Sequence, residues 1–111
     1  MADTETVAVR MTLHAGQAAE YKRRHDEIWP ELVEALRAAG VLDYRIFLDP
    51  ETNLLFAVLT RRLDHTMDAL PALPVMQRWW AMMADIMDAA PTFEPLTVPL
   101  SEVFRLTATE S

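Results

Sequence analysis

The stretch "DYRIFLDPETNLLFAVLT", residues 43–60, predicts two strands joined by a tight turn. In its first part Tyr44, Ile46 and Leu48 share one face, as the two-residue period of a strand requires. The "DPETN" segment is dense in turn residues, and Pro50 is well placed to start a turn. The "LLFAVLT" segment that follows reads as the partner strand, so we expect a β-hairpin.

Outside the hairpin, apolar residues recur at strand spacing near both ends of the chain, and they recur at helical spacing in the two segments that separate the hairpin from those ends. A middle connection is punctuated by Pro71 and Pro74 and has room for a short helix. The other predicted elements are a strand at Thr6–Leu13, a helical pattern at Gln17–Ala39 that stops at Gly40 as a C′ cap, a helix at Val75–Asp88 and a strand at Leu100–Leu106.

The resulting order, β-α-β-β-α-β, predicts an α+β fold of the ferredoxin-like type, with helices on one face of an antiparallel sheet. With 111 residues we expect one domain over residues 1–111, with a core at about 6–106, a short N-terminal extension and the tail "TATES". The "LLFAV" segment is apolar on both strand faces, so the uncovered face is expected to meet a second sheet in a twofold homodimer. The simpler alternative is a central strand with tolerated apolar exposure.

Composition excludes several classes of function. The chain has no cysteine, which rules out disulfides and thiolate chemistry and suits a cytoplasmic location. It has no apolar run of about 18 residues, and "MADTETV" lacks the features of a signal peptide, so we expect no membrane association. A net charge of −7 disfavours nucleic acid, and two glycines cannot form a phosphate-binding loop.

The segment "EYKRRHDEIWPEL" places unusual side chains on one helix face. Tyr21 and His25 are four residues apart and therefore neighbours on a helix. Pro30 is expected to break the helix and to start a second one nearby, since proline within a helix costs about 3 kcal/mol or more. A lone histidine is more often a core-edge residue bonded to a carbonyl, but a second proton carrier one turn away favours a functional pair.

A second unusual segment is "QRWW". Adjacent helical residues diverge by about 100°, so Trp79 and Trp80 cannot point to one place unless the helix edge faces a cavity. One indole could fill the core while the other covers it, or both could form a stacking platform for a flat apolar ligand. The residues His14, His25 and His65 are scattered, so we expect neither a metal site nor a cofactor.

The strings "EYKRRHDEIWPEL", "NLLFAV", "QRWWAMMADIM" and "LSEVFRL" together resemble the L-rhamnose mutarotase family, over nearly the whole chain. The resemblance implies a dimeric α/β-barrel and an enzyme that interconverts the anomers of L-rhamnopyranose without a cofactor. It also implies that His25 is the general acid and that the sugar-binding residues are Tyr21, Tyr44, Trp79 and Trp80.

The chemistry of these residues agrees with that implication. Mutarotation needs a proton removed from the anomeric hydroxyl and one delivered to the ring oxygen, and histidine titrates in the right range. Two other hypotheses use the same architecture. One is a cofactor-independent monooxygenase of flat aromatic substrates, and the other is a non-enzymatic module that binds a small molecule.

Overall fold

The computed structural model describes residues 3–108, and it has one four-stranded antiparallel sheet in the order β2-β3-β1-β4. The predicted tail "TATES" therefore lies partly outside the described residues. The elements are β1 (Thr4–Thr12), α1 (Ala18–Asp26), α2 (Pro30–Ala38), β2 (Val41–Asp49), β3 (Leu54–Arg62), a 3-10 helix (Met67–Ala72), α3 (Pro74–Met83) and β4 (Val98–Leu100).

The predicted hairpin is confirmed as β2 and β3, which pair antiparallel along their length. The turn between them is closed by a bond from the Asn53 N–H to the Asp49 carbonyl at 2.9 Å. The Asp49 carboxylate also accepts from the Glu51 N–H at 3.0 Å. Asn53 has a φ of 61°, a left-handed conformation that asparagine tolerates better than most residues.

The two faces of the sheet have different surroundings. On one face Leu55 and Ala57 are 1% and 3% exposed, and together with Met11 they form part of the hydrophobic core. On the opposite face Phe47 lies directly across from Phe56, and Phe47 is 56% exposed. Residues directly opposite each other in a ladder point to the same side. The register adds more apolar side chains to this uncovered face, namely Ala8, Val58, Val98 and Leu100.

The predicted break at Pro30 is confirmed. Helix α1 ends at Asp26, and Pro30 is the first residue of α2. Trp29 has a ψ of 132°, an extended conformation of the kind that the following proline ring favours. The Trp29 carbonyl accepts from the Leu32 and Val33 N–H groups at 3.0 and 3.1 Å, so α2 starts directly after the break.

Gly40 follows α2 in the position that the sequence predicts. Its φ is +107°, which side-chain-bearing residues rarely adopt. A Cβ atom at this position would lie 3.0 Å from the Cβ of His65. This close approach allows two backbone hydrogen bonds between the segments. The Gly40 carbonyl accepts from the Arg62 N–H at 2.9 Å, and the Ala39 carbonyl accepts from the Thr66 N–H at 2.8 Å. Glycine is thus required for both conformation and space.

Two predicted boundaries are wrong. Helix α3 ends at Met83 and not at Asp88, because the Asp88 N–H bonds the Thr12 carbonyl at 3.0 Å instead of continuing the helix. The last strand is Val98–Leu100, and the predicted strand Leu100–Leu106 instead leaves the sheet after Leu100. Val103 and Phe104 are 93% and 77% exposed, since the protomer offers this apolar segment no surface to cover.

No helix within residues 3–108 is both long enough and apolar enough to cross a membrane.

Candidate functional site

A cavity of about 840 Å³ lies between the helices and the covered face of the sheet. It falls within the size range of small-molecule sites. All five side chains that the sequence singled out line it, and they come from three elements: α1, β2 and α3. These five residues are Tyr21, His25, Tyr44, Trp79 and Trp80.

The imidazole of His25 is fixed on two sides. Its ring stacks on the ring of Tyr21 at a centroid distance of 4.4 Å and an interplanar angle of 29°. Its Nδ1 atom lies 3.1 Å from the Tyr21 carbonyl oxygen. A carbonyl can only accept, so in the neutral ring Nδ1 carries the hydrogen. This bond leaves Nε2 as a free proton acceptor on a residue that lines the cavity.

Burial shifts the protonation of the three titratable rings. Burial lowers the pKa of His25, and the bond to the Tyr21 carbonyl opposes that shift only in part. Burial also raises the pKa of Tyr21 well above its ordinary value. The pKa of Tyr44 is raised by burial as well, although 43% of the residue's surface is exposed. At neutral pH the site therefore holds a neutral imidazole and two protonated phenols.

The two tryptophans occupy different environments. Trp79 is 6% exposed and belongs to the hydrophobic core, whereas Trp80 is only partly buried. The Trp79 ring stands nearly perpendicular to the His25 ring, with centroids 5.3 Å apart. It stands in the same way against Trp29 at 5.2 Å. Trp79 therefore holds the imidazole in place, and Trp80 presents the more accessible indole.

Sequence reasoning missed the charged residues of the cavity lining, which are Arg37, Asp43 and Arg61. Arg61 donates to Glu5 at 2.9 Å, and its side chain is 22% exposed. A signal was present, because strand alternation places Arg61 on the same face as Leu55 and Ala57. The methionines Met76 and Met83 are buried in the core, and they also line the cavity.

The other two histidines lie apart from the cavity lining. His14 bonds Asp88 at 3.1 Å on the surface, and the Nδ1 atom of His65 accepts from the Met67 N–H at 3.1 Å. Over the described range 3–108, no three histidine, aspartate or glutamate side chains gather closely enough to hold a metal ion.

Comparison with known proteins identifies one family. The family model for L-rhamnose mutarotase matches residues 6–106. A protein named L-rhamnose mutarotase from Jannaschia sp. is 61% identical over 102 residues, covering 92% of this chain and 98% of that protein. One of the same name from Paraburkholderia phytofirmans is 59% identical over 102 residues, covering 92% and 95%.

Solved structures give a consistent result. The crystal structure of an L-rhamnose mutarotase from Formosa agariphila matches with a TM-score of 0.86 and 43% identity, covering 93% of this chain and 99% of that one. A putative antibiotic biosynthesis monooxygenase from Nitrosomonas europaea matches with a TM-score of 0.61 over 94% of both chains. It is only 10% identical, so it shows a shared fold and nothing about activity.

The different burial of the two indoles predicts different costs of truncation. We expect Trp79→Ala to lower the free energy of unfolding by about 3–5 kcal/mol, since it leaves a large cavity in the core. We expect Trp80→Ala to cost less, about 1–2 kcal/mol, because its ring is only partly buried. Urea denaturation of both variants measures the difference, and equal losses would contradict the assignment of Trp79 alone to the core.

Proposed function

The chain belongs to the L-rhamnose mutarotase family and interconverts the α and β anomers of L-rhamnose, and we propose that His25 carries the proton transfer. The observation that supports this role is the bond between Nδ1 and the Tyr21 carbonyl. It fixes the neutral tautomer in which Nε2 accepts a proton. The lowered pKa of His25 keeps that form populated at neutral pH.

The proposed mechanism uses the imidazole first as a base and then as an acid. Nε2 takes the proton from the anomeric hydroxyl as the bond between C1 and the ring oxygen breaks. The imidazolium then gives this proton to the ring oxygen, which is bonded to the same carbon before opening. The open-chain aldehyde rotates about the C1–C2 bond, and the reverse steps close the ring on the other face. No proton or electron is gained or lost overall.

The remaining site residues have binding roles in this proposal. Tyr21 and Tyr44 stay protonated because burial raises the pKa of both phenols, so they can donate hydrogen bonds to sugar hydroxyls. Trp80 offers its partly exposed indole to the apolar side of a deoxysugar. Trp79 acts mainly by holding His25, at a centroid distance of 5.3 Å, although its ring also lines the cavity.

The two other hypotheses from the sequence have less support. A monooxygenase activity rests on fold likeness at 10% identity, whereas relatives at about 60% identity carry the mutarotase name. A module that only binds a small molecule has less support because the matching family model and the relatives at about 60% identity carry the name of an enzyme. Neither hypothesis is favoured.

We further propose that the protein acts as a homodimer in which two uncovered sheet faces pack together as an α/β-barrel. The uncovered face carries Phe47 opposite Phe56, and the segment after β4 exposes 77% of Phe104 and 83% of Leu106. Arg10 and Arg45 lie on the same face, but large apolar side chains exposed together in this way usually mark an interaction site. A twofold arrangement would cover the same residues on both copies at once.

A cytoplasmic location, without nucleic acid or membrane partners, completes the proposal. The chain has no cysteine and a net charge of −7. Its proposed partners are thus L-rhamnose and a second copy of the chain, and the proton transfer calls for no cofactor.

The activity and the role of His25 can be tested together. Saturation transfer in proton NMR should show exchange between the two anomeric signals of L-rhamnose well above the buffer rate. We expect His25→Asn to lower kcat at least about 100-fold, because asparagine keeps a similar size but exchanges no proton near neutral pH. The matched control is His14→Asn, since the His14 side chain is 44% exposed and bonds Asp88 at the surface. A His25→Asn variant with more than half of the original rate would overturn the role of His25.

The pH dependence follows from the direction of the His25 shift. The neutral imidazole is the starting form, and its pKa lies below the ordinary value of 6.5. Protonation below that pKa removes the Nε2 acceptor. We therefore expect kcat/KM to stay constant from about pH 7 upward into mildly alkaline solution and to fall as the pH drops through the lowered pKa. A rate that rises on acidification would show that the imidazolium is the starting form.

The dimer can be tested by sedimentation equilibrium. We expect a mass of twice 12.6 kDa for the natural chain. Phe56→Glu should shift it to monomer, because two glutamates would have to be buried in the interface. The control Ala81→Glu places the same charge on an exposed position of α3, across the sheet from the uncovered face. A natural chain that sediments as a monomer would contradict the proposal.

A further inference from the structure

The side chain of Arg24 crosses from α1 to the C-terminal end of α3. Its Nη1 atom donates to the Met82 carbonyl at 2.8 Å and to the Asp85 carboxylate at 2.8 Å. Its Nη2 atom reaches the other oxygen of Asp85 at 3.3 Å. The Met82 carbonyl is among the last four of the helix, which have no partner within it. One guanidinium thus joins the two helices that carry His25 and Trp79.

Arg24 is largely buried, and several hydrogen bonds fix its position. The Arg24 side chain is only 14% exposed, and its Nε atom donates to Glu20 at 2.6 Å. The guanidinium holds the Asp85 carboxylate through two nitrogens, a geometry that fixes orientation as well as distance. The bond from Arg24 keeps the pKa of Asp85 below its ordinary value, and the bonds from Arg23 and then Arg24 lower the pKa of Glu20 to about 2. Both carboxylates are therefore charged at any pH where the protein works.

Helix α1 has little else to hold it. Its sequence, "AAEYKRRHD", has one buried residue, Tyr21. The ring of His25 contacts the rings of Tyr21 and Trp79, and all three residues line the cavity. The bonds of Arg24 provide the polar tie to α3. Without them the helix would be free to tilt about its contact with the core.

We infer that Arg24 is a positioning residue, which fixes α1 against α3 so that the imidazole of His25 stays at the ring of Trp79 and within reach of the substrate. The inference rests on the proposed function. Proton transfer needs heavy atoms about 2.6–3.2 Å apart, so a small tilt of α1 reduces the rate more than it reduces binding. A misplacement of about 1 Å can lower a rate 100-fold.

The adjacent residue provides a matched control. Arg23 has the same charge, but its side chain is 55% exposed and it bonds only Glu20 and Glu27, both in the same helical segment. Arg23→Gln and Arg24→Gln remove equal charge one residue apart. Only the second removes bonds to α3. Any general effect of charge on His25 is therefore present in both variants.

The experiment compares kcat, KM and the pH profile of anomeric exchange for both variants. We expect Arg24→Gln to lower kcat about 10- to 100-fold, with KM changed less than threefold, and Arg23→Gln to stay within about twofold of the natural chain. The acid limb of the profile should move toward the ordinary histidine value in Arg24→Gln, because a loosened α1 admits water to His25. Arg24→Lys keeps the charge and one hydrogen bond, so it should recover part of the rate.

The outcomes separate cleanly. A kcat for Arg24→Gln at least fivefold below that of Arg23→Gln supports the inference, and a smaller difference overturns it. If Arg24→Gln fails to fold, the kcat of Arg24→Lys is compared with that of Arg23→Gln instead. A kcat for Arg24→Lys at least twofold lower then supports the inference, and a smaller difference overturns it. If the natural chain shows no exchange above the buffer rate, the proposed function itself fails. If it shows exchange and the Arg24 variants match the control, only the inference fails.

Discussion

The geometry of the site depends on one backbone constraint, the proline at position 30. Proline cannot continue the helix that precedes it, so α1 stops at Asp26 and the chain turns through the extended Trp29 before α2 begins. The break leaves His25 in the last turn of α1, at the edge of the cavity. It also brings the Trp29 ring to 5.2 Å from Trp79, which in turn stands 5.3 Å from the imidazole.

Burial then determines what these side chains can do. Burial disfavours the charged forms of these rings, so it favours a neutral imidazole and two protonated phenols. The cavity lining also holds a permanent charge, Arg61, which is paired with Glu5 at 2.9 Å. Arg24 stays outside the cavity lining, and its charge is matched by Glu20 and Asp85. The bonds to α3 and the contacts with the cavity are thus made by different side chains of α1.

Much of the fold could be predicted because it follows from local rules. The hairpin, the break at Pro30 and the role of Gly40 each depend on the conformational preference of one or two residues. The helical period paired Tyr21 with His25, and the family resemblance added Tyr44, Trp79 and Trp80 to the set that lines the cavity. The end of α3 could not be predicted, since helical periodicity continues to Asp88 while a backbone bond to Thr12 decides otherwise. The bonds from Arg24 to α3 could not be predicted either, because the string "RRH" does not show which arginine faces α3.

The composition of α1 has a consequence for dynamics. With Tyr21 as its one buried residue, this helix contributes little apolar burial to the native state and is a natural candidate for local opening before the sheet opens. A sugar that contacts Tyr21 and His25 binds only the closed form, so by mass action it suppresses that opening. Occupancy of the site and the folding of one helix are in this way a single coupled equilibrium. The slowing of amide hydrogen exchange across residues 18–26 would then report how much of the protein holds substrate.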